Sequence, residues 1–198
     1  MYIQSKALPL SRKIYFLVSL IVLLTFSQLF AKPLKTVSVA ENEVILEYKA
    51  PKYELNPIEV NGIKYVKVDG DFVYFHTKEG YPLLPYFSEN VGIPIDGTIN
   101  LSVRKVKTKV IPNVIIYPAE KMESGEESVG YSFYRDAEAY NSAKEYPELI
   151  VQRGATAFAG DRRFASFVFN PFKYNAKSRE LTVITEAEIV VGITGDMS

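Results

Sequence analysis

The stretch from Arg163 to Ile193, RFASFVFNPFKYNAKSRELTVITEAEIVVGI, decides the fold class. In its second half Leu181, Val183, Ala187, Ile189, Val191 and Ile193 share one parity, broken only by Thr185. Thr182, Glu186 and Glu188 hold the other parity, the period-2 alternation of a strand with one wet face. The first half, Phe164 to Phe169, is apolar on nearly both faces, as expected for a strand inside a packed sheet. Between them, Asn170-Pro171-Phe172-Lys173-Tyr174-Asn175 contains a proline that cannot donate to a ladder and asparagines that tolerate turn geometry. The chain is expected to leave the sheet there and return, as an antiparallel hairpin or a corner.

The same material recurs upstream in short pieces. Val44, Leu46 and Tyr48 alternate within Val37–Tyr48, a first strand or pair of strands. Ile58-Glu59-Val60 and Ile63-Lys64-Tyr65-Val66 flank Asn61-Gly62, the dipeptide of a tight hairpin with a primed turn. Asp69-Gly70 before Phe72-Val73-Tyr74-Phe75 repeats the signal, so a three-stranded meander is expected. Gly80-Tyr81-Pro82-Leu83-Leu84-Pro85 reads as an extended edge or crossover, because its prolines forbid a central strand. Val91–Ile95 leads into a long strand, Ile99–Ile111, whose parity switches. Ile99, Leu101 and Val103 take one side, Val106 and Val110 the other, so a bulge or bend at Arg104-Lys105 would restore the inside face.

Val114-Ile115-Ile116-Tyr117 is a short apolar run between Pro112 and Pro118. Residues 119–145 change character. Glu120, Glu123, Glu126, Glu127, Asp136, Glu138 and Glu145 gather around Ser124-Gly125, and only Arg135 to Lys144 looks helical. A long surface excursion with one helical turn is expected, ended by Tyr146-Pro147. Leu149-Ile150-Val151 and Ala155–Phe158 lead back to the final strands. Short strands with turn signals about every eight to twelve residues describe an all-β antiparallel sandwich.

The totals narrow the chemistry. The 198 residues contain no cysteine, which excludes disulfides, a thiol nucleophile and cysteine-based metal sites. Residues 1–31 carry Lys6, Arg12 and Lys13 and no acid, followed by an uncharged run from Ile14 to Phe30. That is the charged and apolar pattern of an export signal peptide, with Ser27 or Ala31 as small residues for cleavage. The competing reading is an uncleaved membrane anchor, for which the run is short of the ~20 residues a span prefers. The remaining 32–198 form one domain with 20 basic and 23 acidic residues, a net of −3 that gives nucleic acid no footing as a partner.

His76 is the only histidine, and at a strand end it reads as structural, with no partner for Ser-His catalysis or a metal. The acidic excursion lacks the ligand spacing of a calcium loop, so no metal or cofactor is expected. Arg104, Lys105, Lys107 and Lys109, on alternating strand positions, read as an outer face or an edge guarded by charge rather than a nucleic-acid patch. Asn100-Leu101-Ser102 matches a glycosylation acceptor, placed in a strand.

Gly80-Tyr81-Pro82-Leu83-Leu84-Pro85, Pro94, Tyr146-Pro147, Arg162 or Arg163, Pro171-Phe172-Lys173-Tyr174-Asn175 and the run Leu181–Val191 occur in a telling order. Together they resemble the N-terminal propeptide of gingipain-type cysteine endopeptidases, over about residues 40–193. The motif residues are Gly80, Pro82, Leu84, Pro85, Pro171, Tyr174 and Asn175; Ala176 departs from the pattern, where the family repeats a proline. The resemblance implies a secreted zymogen prodomain with an immunoglobulin-like β-sandwich that assists folding of its protease and inhibits it until cleaved.

It further implies that a basic residue on a loop enters the protease's specificity pocket. Arg135 and Lys121, in the 119–145 excursion, are the available side chains. The implied partner is the catalytic domain, in cis or trans, with no membrane contact after leader removal. The family's catalytic His and Cys belong to a following domain, so the chain is expected to be a fragment of a precursor or a stand-alone relative. Export by the type IX pathway is also implied. The alternatives are an extracellular adhesion or carbohydrate-binding sandwich using exposed aromatics, and a hydrolase built on carboxylates.

Overall fold

Strand β14 (Glu180–Thr194) anchors the computed structural model, which describes residues 32–124 and 129–195. The expected leader, with Ser27 and Ala31, lies outside the described residues. Along β14 the alternation is realised: Leu181, Val183, Ala187, Ile189, Val191 and Ile193 are buried, and Glu186 is exposed. At about 3.3 Å per residue the strand spans roughly 50 Å. One of its edges pairs first with β13 (Phe172–Asn175), through Tyr174↔Leu181, then with β2 (Glu43–Lys49), through Leu46↔Ile189. The other edge pairs with β7 (Thr98–Ile111). β1 (Leu34–Ala40) adds to β2, and β10 (Glu145–Tyr146) adds to β13, completing a six-stranded antiparallel sheet.

The run Phe164–Phe169 lies in β12 (Arg162–Phe169), between β11 (Val151–Ala159) and β6 (Pro85–Ile93). β5 (Tyr74–Phe75) completes this four-stranded sheet. Phe167 and Phe169 share one core with Leu46, Tyr48, Ile189 and Val191 of the other sheet, the face-to-face packing of the expected β-sandwich. The rings of Tyr48 and Phe169 meet at 4.6 Å. A second core gathers Leu181, Val183, Phe172 and Tyr174 with Val68, Leu84, Ile116 and Tyr140. Leu34–Ser198 forms one compact unit, and β14 contributes to both of its cores. Burying an aliphatic side chain contributes about 1.5–3 kcal/mol, so Leu181, Val183, Ile184, Ile189, Val191 and Ile193 supply on the order of 9–18 kcal/mol before chain entropy is subtracted.

The Asn170-Pro171 segment is a corner: β12 ends in one sheet and β13 opens in the other. Asn170 is fully buried and holds the crossing together. Its Nδ2 donates to the Leu149 carbonyl at 2.7 Å, its backbone N–H to Ile150 at 2.7 Å, and its Oδ1 accepts from His76 Nε2 at 2.8 Å. His76 in turn donates its backbone N–H to Leu84 and lies 4.8 Å from the Tyr86 ring. Burial lowers the His76 pKa, opposed by the Asn170 hydrogen bond.

Two expectations are corrected. The Asn61-Gly62 turn forms, with left-handed φ of 52° and 75°, and joins β3 (Tyr53–Val60) to β4 (Ile63–Gly70). No meander continues from it, because β5 pairs with β6 instead, Tyr74 opposite Tyr86. The free flank of β4 is already taken: Val66 donates to Ile115 at 2.8 Å and accepts from Tyr117 at 2.9 Å. The parity switch in β7 is a true irregularity, with Lys105 at φ 53° and register slips opposite Glu186. It does not turn Val106 and Val110 inward; they remain 39% and 52% exposed. Ile99, Leu101 and Val103 pack into the first core and Ile111 into the second, and the stretch between reaches neither. That stretch is the charge-guarded edge: Arg104 and Lys105 pair with Glu188 at 2.7 and 2.6 Å, and Lys107 with Glu186 at 2.7 Å.

Asn170→Ala leaves the Leu149 carbonyl and His76 Nε2 without their partner, and is expected to cost about 1–3 kcal/mol in urea unfolding. His76 supplies a pH signature. Because its folded pKa lies below the ordinary 6.5, the unfolded chain binds a proton that the folded chain refuses, and stability falls as pH drops through that window. Thermal midpoints from about pH 7.5 to about pH 5 are expected to decline more steeply in the wild type than in His76→Gln.

Candidate functional site

The excursion after Pro118 is tied at both roots to one short segment. Gly80 donates its N–H to Ala119 at 2.8 Å and accepts from Asp136 N–H at 3.1 Å. Ala119 donates to Tyr81 at 2.8 Å, Leu83 donates to Tyr117 at 2.9 Å, and Pro82 bridges Pro118. Gly80 has φ +77°, and a Cβ there would sit 2.6 Å from the Tyr134 ring and 2.8 Å from the Asp136 nitrogen. Only glycine lets the two roots close over it. Leu84, fully buried, pins the same segment to the second core, and Pro85 opens β6. The motif read from the sequence is thus a clamp on the base of the excursion.

Between its roots the excursion is more ordered than expected. β8 (Lys121–Ser124) and β9 (Val129–Ser132) pair as a hairpin, Lys121 opposite Ser132 and Met122 opposite Tyr131; residues 125–128, which join them, lie outside the described residues. Asp136 then caps the short helix α1 (Ala137–Asn141), accepting from Ala139 N–H at 2.8 Å, which is the helical turn expected. The hairpin escaped the sequence reading because four-residue strands are too short to show alternation. Glutamates also dominated the window.

Glu79 accepts the Met122 N–H at 3.1 Å and the Ser132 hydroxyl donates to Glu123 at 2.8 Å, which fixes the hairpin against the body and against itself. Met122 and Tyr131 are 54% and 68% exposed, an apolar pair turned outward. Beside them a cleft of about 470 Å³ is lined by Lys67, Leu83, Tyr117 and the hairpin. Burial, then the Glu120 carboxylate that its hydroxyl donates to at 2.8 Å, push Tyr117 up to about 12. Tyr117 therefore stays a protonated donor, with the Lys67 ammonium 4.1 Å from its ring centre.

Of the two candidate basic residues, Lys121 opens the hairpin, is exposed, and has no ion pair among the described residues. Arg135 lies beyond the hairpin. Its guanidinium donates to the Tyr65 hydroxyl at 3.3 Å and sits 5.0 Å from the Tyr140 ring centre, which ties it to the body. The remaining motif residues build the frame. Pro171 is buried at the corner, and the Tyr174 hydroxyl donates to Val114 at 3.0 Å. Asn175 Oδ1 accepts from the N–H groups of Lys177 and Ser178 at 3.1 Å each, shaping the β13–β14 turn. Ala176, where the family carries proline, is buried in the second core. His76 is engaged by Asn170, and among the described residues no three His, Asp or Glu side chains group to hold a metal. What the arrangement offers is recognition.

These features define a thiol-free antiparallel sandwich that presents a clamped hairpin. Residues 73–197 match the Propeptide_C25 family, and the chain belongs to it: as a propeptide it is a non-catalytic part of a peptidase precursor, in agreement with the resemblance read from its motifs. The fold is shared with a solved complex of the pro- and mature domains of RgpB from Porphyromonas gingivalis, at TM-score 0.73 and 17% identity, over 84% of this chain and 86% of that one. It is shared also with a structure addressing the zymogenic latency of gingipain K from the same organism, at TM-score 0.66 and 19% identity, over 84% and 96% of the two chains. No curated protein sequence matches the chain.

Gly80→Ala is expected to destabilise the protein by about 1–3 kcal/mol, since it adds both a left-handed side chain and a clash with backbone. Hydrogen exchange should then speed up at Met122 and its neighbours in the hairpin more than in β14.

Proposed function

We propose that residues 32–198 are the prodomain of a C25-type, gingipain-like cysteine endopeptidase, helping its catalytic domain to fold and holding it inactive until cleavage. The observation that carries the mechanism is the hairpin Lys121–Ser132, sutured at both roots by Gly80 and Tyr81. A blocking loop must keep its shape inside a cleft designed to bind extended chains, and the clamp supplies that rigidity. Inhibition of this kind buries about 1,200–2,000 Å² in total, and loops held by packed sheets are suited to it. Met122 and Tyr131 supply apolar contact area, and Lys121 supplies the basic side chain offered to an acidic specificity pocket. Of the two candidates we assign this role to Lys121, because Arg135 is committed to Tyr65 and Tyr140. Residues 1–31 act as the export leader, and the type IX pathway is the route for the precursor. Membership of a propeptide family favours this reading over a sugar-binding sandwich.

Residues 32–198, titrated into the catalytic domain of a C25-type peptidase, are expected to abolish its activity at micromolar excess. Lys121→Ala should weaken the inhibition by roughly thirtyfold or more, the loss typical of an interface hot spot. Undiminished proteolysis at that excess would overturn the proposal.

A further inference from the structure

A second concavity, of about 760 Å³, opens where three separate elements meet. Lys64 enters it from the start of β4, Arg135 from the chain ahead of α1, and Lys177 and Arg179 from the β13–β14 turn. Among the described residues no carboxylate lines it. Five cations elsewhere, Lys49, Arg104, Lys105, Lys107 and Lys173, meet glutamates, while others such as Lys67 and Lys121 form no ion pair among the described residues. None of the four cleft cations has such a partner among the described residues.

Two of the four are held in place. Arg135 is fixed by the Tyr65 hydroxyl at 3.3 Å and by the face of Tyr140, so its guanidinium is preorganised. Arg179 adopts φ 56°, a left-handed conformation that a side chain disfavours and that glycine would adopt freely. Backbone strain of this sort collects where a side chain is used. Both arginines also act on the Tyr174 hydroxyl, drawing its pKa down against the burial that raises it. Ile63, Ile115 and the buried Tyr140 and Tyr174 also line the cleft, which is far wider than a single oxyanion needs.

We infer that this cleft binds an acidic peptide segment, with Asp or Glu carboxylates on Lys64, Arg135, Lys177 and Arg179 and apolar neighbours against Ile63 and Ile115. Resting on the prodomain reading, the segment belongs to the catalytic domain, and the cleft is a second point of attachment separate from the hairpin. Arginine forks match carboxylates in bidentate geometry, and lysines at the rim add attraction that salt screens.

The test uses the full chain with hexaglutamate as the probe, and the variant Lys64→Glu with Lys177→Glu, both exposed positions. Hexaglutamate is expected to bind, and to bind at least about tenfold more weakly to the variant or when salt is raised from about 50 to about 500 mM. The variant should also inhibit the peptidase about tenfold more weakly, while Lys121→Ala leaves hexaglutamate binding unchanged. Absence of hexaglutamate binding, or equal binding by the variant with an unaltered thermal midpoint, overturns the cleft while leaving the hairpin mechanism standing. Inorganic phosphate binding as tightly as hexaglutamate overturns the peptide in favour of a free oxyanion. Weaker hexaglutamate binding with undiminished inhibition overturns the placement of the segment on the peptidase.

Discussion

Everything in this molecule leans on one strand serving two cores. β14 pairs along both edges and buries a row interrupted only at Thr185, Leu181 and Val183 into one core, Ala187, Ile189, Val191 and Ile193 into the other. A strand so long and so apolar on one face would be an aggregation hazard if an edge were left open. Here β7 covers one edge, and β13 with β2 share the other. The outer face keeps Glu186 and Glu188, whose carboxylate pKa values are lowered because lysine and arginine of β7 donate to them. Exposed pairs of that kind add little stability, but they set register and discourage foreign strands.

The functional surface is a consequence of that frame. The corner at Asn170 passes the chain from one sheet to the other and ties it to His76, and His76 is tied by its own backbone to Leu84. Leu84 belongs to the same short segment as Gly80, which sutures the hairpin roots. A continuous path of hydrogen bonds and packed side chains thus runs from the sandwich core to the base of the hairpin. Rigidity at the base lets a surface element hold one shape without a large core of its own, which is what a blocking loop requires.

Arg135 shows how charge alone misleads. In sequence it stands beside Lys121 as one of two candidate basic residues in an acidic excursion. In three dimensions the two differ in kind: Lys121 opens a hairpin with no ion pair among the described residues, while Arg135 is held by Tyr65 from a distant strand and by Tyr140 of the neighbouring helix. Tyr65 comes from a strand seventy positions earlier, so no local pattern could reveal the contact.

The amino-acid sequence by itself determined the strands with strong alternation, the Asn61-Gly62 turn, the break at Arg104-Lys105, the single helical turn and the family motifs. Each rests on local chemistry: side-chain parity, the φ preferences of Gly, Asn and Pro, and a capping Asp. Only the tertiary structure decided which strands are neighbours. It gave β5 to β6 because Ile115–Tyr117 had already occupied the flank of β4, and it left Val106 and Val110 outside because neither core extends that far. It also revealed why the motif needs Gly80, since the Tyr134 ring and the Asp136 amide arrive from more than fifty residues away. Parity says that a strand has an inside; what that inside meets depends on long-range packing, and that is where the site is made.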